Sequence, residues 1–449
     1  MNLLKETMKL PFLILLTAVL PVRAVDAPHA HAETNALVIT PALLGLYAEE
    51  AQARHPVVRS ANARTSAAQA NTDSVRTWED PTFTFGGAVA SSRGTKLSED
   101  GNLIYGLEQK LPLFGKADSQ RHLADAAQLT AQSQADLTFQ QLRRDIALAA
   151  FRLALAEEQL LLGAEDQAAL ESLATLSEQR YRAGNATQVD VLRAQSERVK
   201  GADQLRSATT SRNHARLTLN RLRNRDLHAP LPSLRLPEIA PPIPYSTRLV
   251  ELALRFEPKA KALRQEIKQA EAAIQVSKRQ RLPDVSVGVE GRQYSGDGGF
   301  REGTFLVSLS LPWGNRKGYD ADIRREQERL KAATFDAADY DLSVREEIHH
   351  LTVEMDRGLR EALLNQDEQI PRAELALKSA MAAWESNQGM FRDVLETRRM
   401  LIEARLMRVR AIADQYQAMS QLLLCCGLGD LEALQDFAKD NPVRPEEDK

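Results

Sequence analysis

The sequence predicts a mainly α-helical protein with a smaller membrane-spanning β portion, folded from two internal repeats. Three observations carry that prediction. Landmarks of the first half return, in the same order, about 200 residues later. Between them run very long proline-free stretches with apolar residues stepping by three and four. Each half also holds a pair of short segments in which apolar and polar residues alternate.

Composition agrees. Of 449 residues, 43% are hydrophobic, 27% charged and only 5% aromatic, a mixture that suits long helices better than a sheet-rich enzyme. The formal net charge of −3 supplies no basic field, so nucleic acid is not an expected partner.

Residues 1–24 read as a signal peptide. Lys5 and Lys9 precede the apolar run Leu10–Leu20, and Val22-Arg23-Ala24 offers a small-x-small cleavage site. Ala30-His31-Ala32 offers a second, which would move cleavage as late as 32. Beyond this segment no run of about 18 apolar residues occurs, so a membrane-spanning part must be made of strands.

The first repeat is expected over 33–228 and the second over 247–428, with a proline-rich linker at 229–246 and a polar tail at 429–449. His55-Pro56 corresponds to Glu257-Pro258, each opening an Ala-, Arg- and Gln-rich helix. Strands are expected at about 82–90 and 102–111, then at about 285–292 and 304–311. Phe83, Phe85 and Val89 alternate with Thr82 and Thr84, and Val285, Val287 and Val289 alternate with Ser286 and Glu290. These segments are about as long as a tilted strand needs to cross hydrocarbon. Alternation alone fits equally well two hairpins packed on a soluble core. The export signal and the duplicated long helices favour the barrel. Four strands cannot close a barrel, so insertion would demand several chains. The loops 91–101 and 295–303 are polar and glycine-rich, as exposed loops are.

From Lys116 to about Ala183 there is no proline and the single glycine is Gly163. Such a helix would reach roughly 100 Å at about 1.5 Å per residue. Phe139, Leu142, Ile146, Ala149, Leu153, Ala156 and Leu160 form a coiled-coil seam, echoed by Val344, Ile348, Leu351 and Met355. Cys425 and Cys426 are adjacent and read as helix packing rather than a disulfide framework. His349 and His350 point in different directions on a helix, so no joint metal ligation is expected, nor any cofactor. No Ser/His/Asp or Cys/His set stands out, and an enzyme is not expected.

The most specific stretches are Tyr181-Arg-Ala-Gly-Asn-Ala-Thr-Gln-Val-Asp-Val-Leu and its echo from Trp384 to Arg398, with Leu111-Pro-Leu-Phe-Gly-Lys and Leu311-Pro-Trp-Gly. Together they resemble the TolC family of outer-membrane efflux factors, and the likeness covers essentially all of the mature chain. The phrase Leu111–Lys116 is similar to the heavy-metal-efflux branch, the CusC and CzcC type. The resemblance implies a homotrimer with a twelve-stranded barrel and a periplasmic tunnel of α-helices, set in outer-membrane lipid of a Gram-negative bacterium. It implies a periplasmic adaptor and an inner-membrane pump of the RND type as partners, and heavy-metal cations among the cargoes. A soluble periplasmic scaffold or adaptor, or the exit duct of type I secretion, are the alternatives.

By the same resemblance Asp393 and Glu396, one helical turn apart, line the periplasmic aperture. Three-fold symmetry would turn each into a cation-attracting ring. Asp190 stands at the equivalent place in the first repeat. Stabilisation of a helix start explains Asp190 nearly as well, and solvated helix-start acids are the plainer reading of the other two. Gly184 and Asn185, with Asn387, Gly389 and Arg392, would form the tip turns and dock the adaptor. Gly184 suits a left-handed turn, and Asn387 tolerates one. Gly389 stands where relatives often carry a gate-locking Arg, and Arg392 is displaced from that place.

Overall fold

A computed structural model describes residues 36–88, 102–294, 298–428 and 433–434. The expected signal segment, the whole expected loop 91–101, residues 295–297 of the second expected loop and the expected tail at 429–449, apart from 433–434, lie outside the described residues. So does the expected extension of the first strand to 90.

The first repeat begins with β1 (Leu37–Val38), α1 (Pro41–Arg54) and α2 (Pro56–Ser74). Strands β2 (Thr82–Ala88) and β3 (Asn102–Leu111) follow, then the long α3 (Lys116–Arg182) and α4 (Gln188–Leu222). The proline-rich connection holds β4 (Leu234–Arg235), and after it come α5 (Thr247–Phe256), α6 (Pro258–Gln280), β5 (Val285–Tyr294) and β6 (Phe300–Leu309). The chain continues with α7 (Arg316–Leu363), α8 (Ile370–Glu385) and α9 (Phe391–Cys426).

Local chemistry explains the breaks that the repeats share. His55 caps the start of α2, its Nδ1 accepting from the Val57 amide at 3.3 Å, and Pro56 takes the first helical position where no N–H is needed. Glu257 does the same for α6, its Oε2 accepting from the Ala260 amide at 2.5 Å ahead of Pro258. The second long helix departs from the first. A π-helical turn at Leu364–Gln369 separates α7 from α8, just before Pro371. Proline lacks the donor for the carbonyl four residues back and crowds it, and the wider turn accommodates both effects.

The four long strands form one antiparallel sheet in the order β2-β3-β5-β6. Register places Phe83, Leu107, Val289 and Phe305 in one row, and Leu111, Val285 and Leu309 in another, all on one face. The opposite face carries Thr84, Gly106, Glu290 and Thr304. The apolar face is not covered by the rest of the described chain: Phe305 is 70% and Phe83 67% exposed. Tyr105 lies flat against Gly291, where a Cβ would come within 2.6 Å of the ring. β6 begins earlier than alternation indicated, because the paired register with β5 extends to Phe300 across an irregularity at Arg292/Gln293.

The helices pack α2-α3-α6-α7 in the same order as the strands they adjoin. The main core gathers Ile146, Phe151 and Leu153 of α3 with Ile348, Met355 and Met419, and Phe151 stacks on Tyr416 at 5.1 Å. Val344, Ile348, Leu351 and Met355 are all buried. The proline-rich connection is pinned rather than loose. Gln415 donates to the Ala240 carbonyl at 2.9 Å and accepts from its amide at 3.0 Å, and Tyr416 Oη donates to the Glu238 carbonyl at 2.8 Å. Among the described residues no helix is long and apolar enough to cross a membrane.

Candidate functional site: the tip of the two helical hairpins

The far ends of the two long hairpins meet at one place, where residues 183–187 and 386–390 turn the chain. In the first turn Gly184 adopts φ +76°, and amides of Gly184 and Asn185 close onto the carbonyls of Tyr181 and Arg180 at 3.0 and 2.8 Å. This satisfies the carbonyls left over at the end of α3. In the second turn Asn387 takes the left-handed conformation at φ +59°. Gly389 then packs so tightly that a Cβ would meet that of Ala383 at 2.9 Å.

The two helix starts differ in a way that separates the acidic residues. α4 begins with a reciprocal cap. Thr187 Oγ1 accepts from the Asp190 amide at 3.3 Å, and Asp190 Oδ2 accepts from the Thr187 amide at 3.2 Å and its hydroxyl at 2.8 Å. The carboxylate of Asp190 is therefore occupied locally. α9 begins at Met390, which has no side chain able to cap, so Asp393 makes no such bond. Its nearest cation is Arg392, at 3.8 Å and largely exposed. Glu396 is exposed with no hydrogen bond or ion pair among the described residues, one turn along the same helix. Asp393 and Glu396 are thus left to solvent, while Asp190 is not.

Three contacts fasten the hairpins to each other, and none was evident from the sequence. Arg180 donates to the carbonyls of Trp384 at 2.9 Å and Glu385 at 3.0 Å, and to the side chain of Asn387. Arg398, almost wholly buried, pairs with Asp166 of α3, and Arg399 pairs with Glu197 of α4. Burial pushes the Asp166 carboxyl above its ordinary range although Arg398 pulls the other way. Beneath these contacts Leu173, Ala174, Ala194, Phe391, Val394 and Leu395 enclose Trp384, whose ring centroid lies 4.9 Å from that of Phe391.

Among the described residues no three His, Cys, Asp or Glu side chains converge as a metal-binding group. His349 packs edge-on against Tyr245 with ring centroids 5.4 Å apart.

Known proteins carry the same architecture. A family model described as outer membrane efflux protein matches residues 47–225. No curated protein is significantly similar in sequence. Among solved structures, the outer-membrane channel OprN is similar at a TM-score of 0.75, with 19% identity over 86% of this chain and 89% of that one. VceC of Vibrio cholerae is similar at 0.72, with 18% identity over 86% and 96%. CusC is similar at 0.74, with 14% identity over 87% and 94%. The family match thus lies within the first half of the chain, while the TolC-like channel fold of these structures is shared along most of its length.

Proposed function

We propose that this chain is the outer-membrane subunit of a tripartite efflux system, a passive exit duct with a large periplasmic portion. The observation that carries the reading is the four-stranded sheet. Its apolar face is uncovered, and its outer strands β2 and β6 lack partners on their far sides among the described residues. Such edges are not left open in lipid, where every backbone donor and acceptor must be paired. Three copies joined β2 to β6 make a closed barrel of about twelve strands. The four helices that adjoin the strands in the same order would then continue the barrel as a tunnel. An inner-membrane pump, of the RND type, and a periplasmic adaptor supply cargo and energy, the adaptor seating on the turns around Gly184, Asn185, Asn387, Gly389 and Arg392.

At the tip, Asp393 and Glu396 form the aperture. Each becomes a ring of three carboxylates, which favours cations and lets divalent ions block the mouth. Heavy-metal cations as cargo rest on the phrase Leu111–Lys116.

Membrane fractionation, native mass spectrometry and planar-bilayer recording test the reading together. The expected result is a trimer in the outer membrane that conducts. A monomer in the soluble periplasmic fraction would overturn it and favour a scaffold or adaptor. For the aperture, Asp393→Ala with Glu396→Ala should weaken divalent-cation block about tenfold; unchanged block removes both residues from the mouth.

A further inference from the structure

The end of the sheet that joins the long helices carries two features in succession. First comes an apolar fringe: Leu311, Trp313, Phe114 and Trp78 are all exposed, Trp313 at 72%. Next, between the end of α6 and the start of α7, an open groove is lined by Lys278, Arg281, Lys317, Asp320, Ile323 and Arg324. Four cations therefore face one carboxylate, in a chain whose formal net charge is −3.

The surrounding acids do not neutralise the groove. Asp320 is shared between Arg281 at 3.3 Å and Arg316 at 3.8 Å. Asp322 is taken by Arg325 at 2.8 Å, and Asp284 by Lys116 at 2.8 Å and Lys110 at 3.4 Å. Glu326 is bonded by Arg325 and Arg329 at 2.8 and 3.0 Å. Lys278, Lys317 and Arg324 have no ion pair or hydrogen bond among the described residues.

We propose that this groove binds the phosphate of anionic phospholipid headgroups in the membrane leaflet that borders the helices. The inference rests on the reading that the sheet spans a membrane. Exposed tryptophans mark the membrane–water boundary, because the ring is apolar and its N–H polar. Arg281 lies four residues before β5 and Lys317 eight after β6, which sets the charges on the order of 10 Å beyond the strand ends, at headgroup depth. Clustered Lys and Arg at that depth attract anionic lipid and form headgroup pockets. A groove for a soluble anion would need no apolar fringe beside it.

The test uses the full-length protein in a neutral detergent, titrated separately with phosphatidylglycerol, phosphatidylcholine and inorganic phosphate. Binding is read by native mass spectrometry and by thermal unfolding. Phosphatidylglycerol should bind and raise the melting temperature, phosphatidylcholine should bind about tenfold more weakly, and inorganic phosphate should do neither. The triple variant Lys278→Gln, Lys317→Gln, Arg324→Gln should lose the preference about tenfold. An equal charge loss elsewhere, Arg193→Gln, Lys200→Gln, Lys378→Gln, should keep it. Equal binding of phosphatidylglycerol by wild type and triple variant would overturn the proposal, as would stabilisation by inorganic phosphate equal to that by lipid. Bilayer conductance separates the two readings. A conducting wild type without lipid preference sinks only the groove, whereas failure to insert or conduct sinks the duct.

Discussion

The guanidinium of Arg180 lies 4.8 Å over the ring of Trp384 and donates to that residue's main-chain carbonyl at 2.9 Å. One side chain of the first repeat thereby closes the C-terminal turn of α8 in the second. A carbonyl at a helix end has no partner within its own helix, so it takes an external donor well. Arg180→Ala should weaken the junction by about 1–3 kcal/mol, the worth of charge-assisted bonds plus a cation–π contact. Hydrogen exchange of the amides at 384–389 should rise by about 5- to 160-fold, and Arg180→Lys, which keeps the charge but loses the fork, should fall between. Unchanged exchange would show that the apolar cluster alone holds the tip.

Arg398 and Asp166 should reveal themselves through pH. Both are nearly buried, and Arg398→Ala leaves a carboxylate without its counter-ion, at a cost of about 3–5 kcal/mol near neutral pH. Burial already raises the Asp166 carboxyl above its ordinary 3.8, and loss of Arg398 raises it further. A raised carboxyl favours the folded state while protonated, below its unfolded pKa, and that contribution is lost as pH rises through the folded value. Denaturation curves should therefore show Arg398→Ala recovering stability relative to wild type as pH falls toward the ordinary carboxylate range. A deficit independent of pH would contradict the assignment.

Asp190 is expected to act through its cap. Asp190→Ala should destabilise the start of α4 by about 1 kcal/mol. Divalent-cation block should stay within about twofold of wild type, in contrast with the Asp393/Glu396 double variant. A loss of block comparable to that variant's would place Asp190 in the aperture after all.

Cys425 and Cys426 should be chemically silent. Burial pushes each thiol up to about 12, so almost no thiolate exists near neutral pH. Maleimide at pH 7.5 should label neither in the folded protein and both after denaturation. Rapid labelling of the native state would mean that the end of α9 opens locally.

Much of the fold was legible because it follows from periodicity and punctuation. The prolines after His55 and Glu257 marked helix starts, and Phe83, Phe85, Val285 and Val287 set the faces of their strands. The π turn ahead of Pro371 was not legible, since a proline fixes where a helix is disturbed but not how the strain is absorbed. Of the tip, Gly184 and Asn387 could be found from the left-handed turns they permit. Arg180 could not, because an arginine in the last turn of a helix has an adequate local role beside the dipole. The partner that gives it a second role lies some 200 residues away.

The sequence by itself determined the duplication, the period of each element and the places where helices start and turn, because these depend on neighbours within a few residues. Only the tertiary structure decided which charges are paired across the hairpins: Arg398 meets Asp166 of α3, and Arg399 meets Glu197 of α4. It also decided that the four strands form one sheet with an uncovered apolar face, since β3 pairs with β5 across the repeat boundary. Such contacts depend on how distant segments are brought together, which local patterning does not encode.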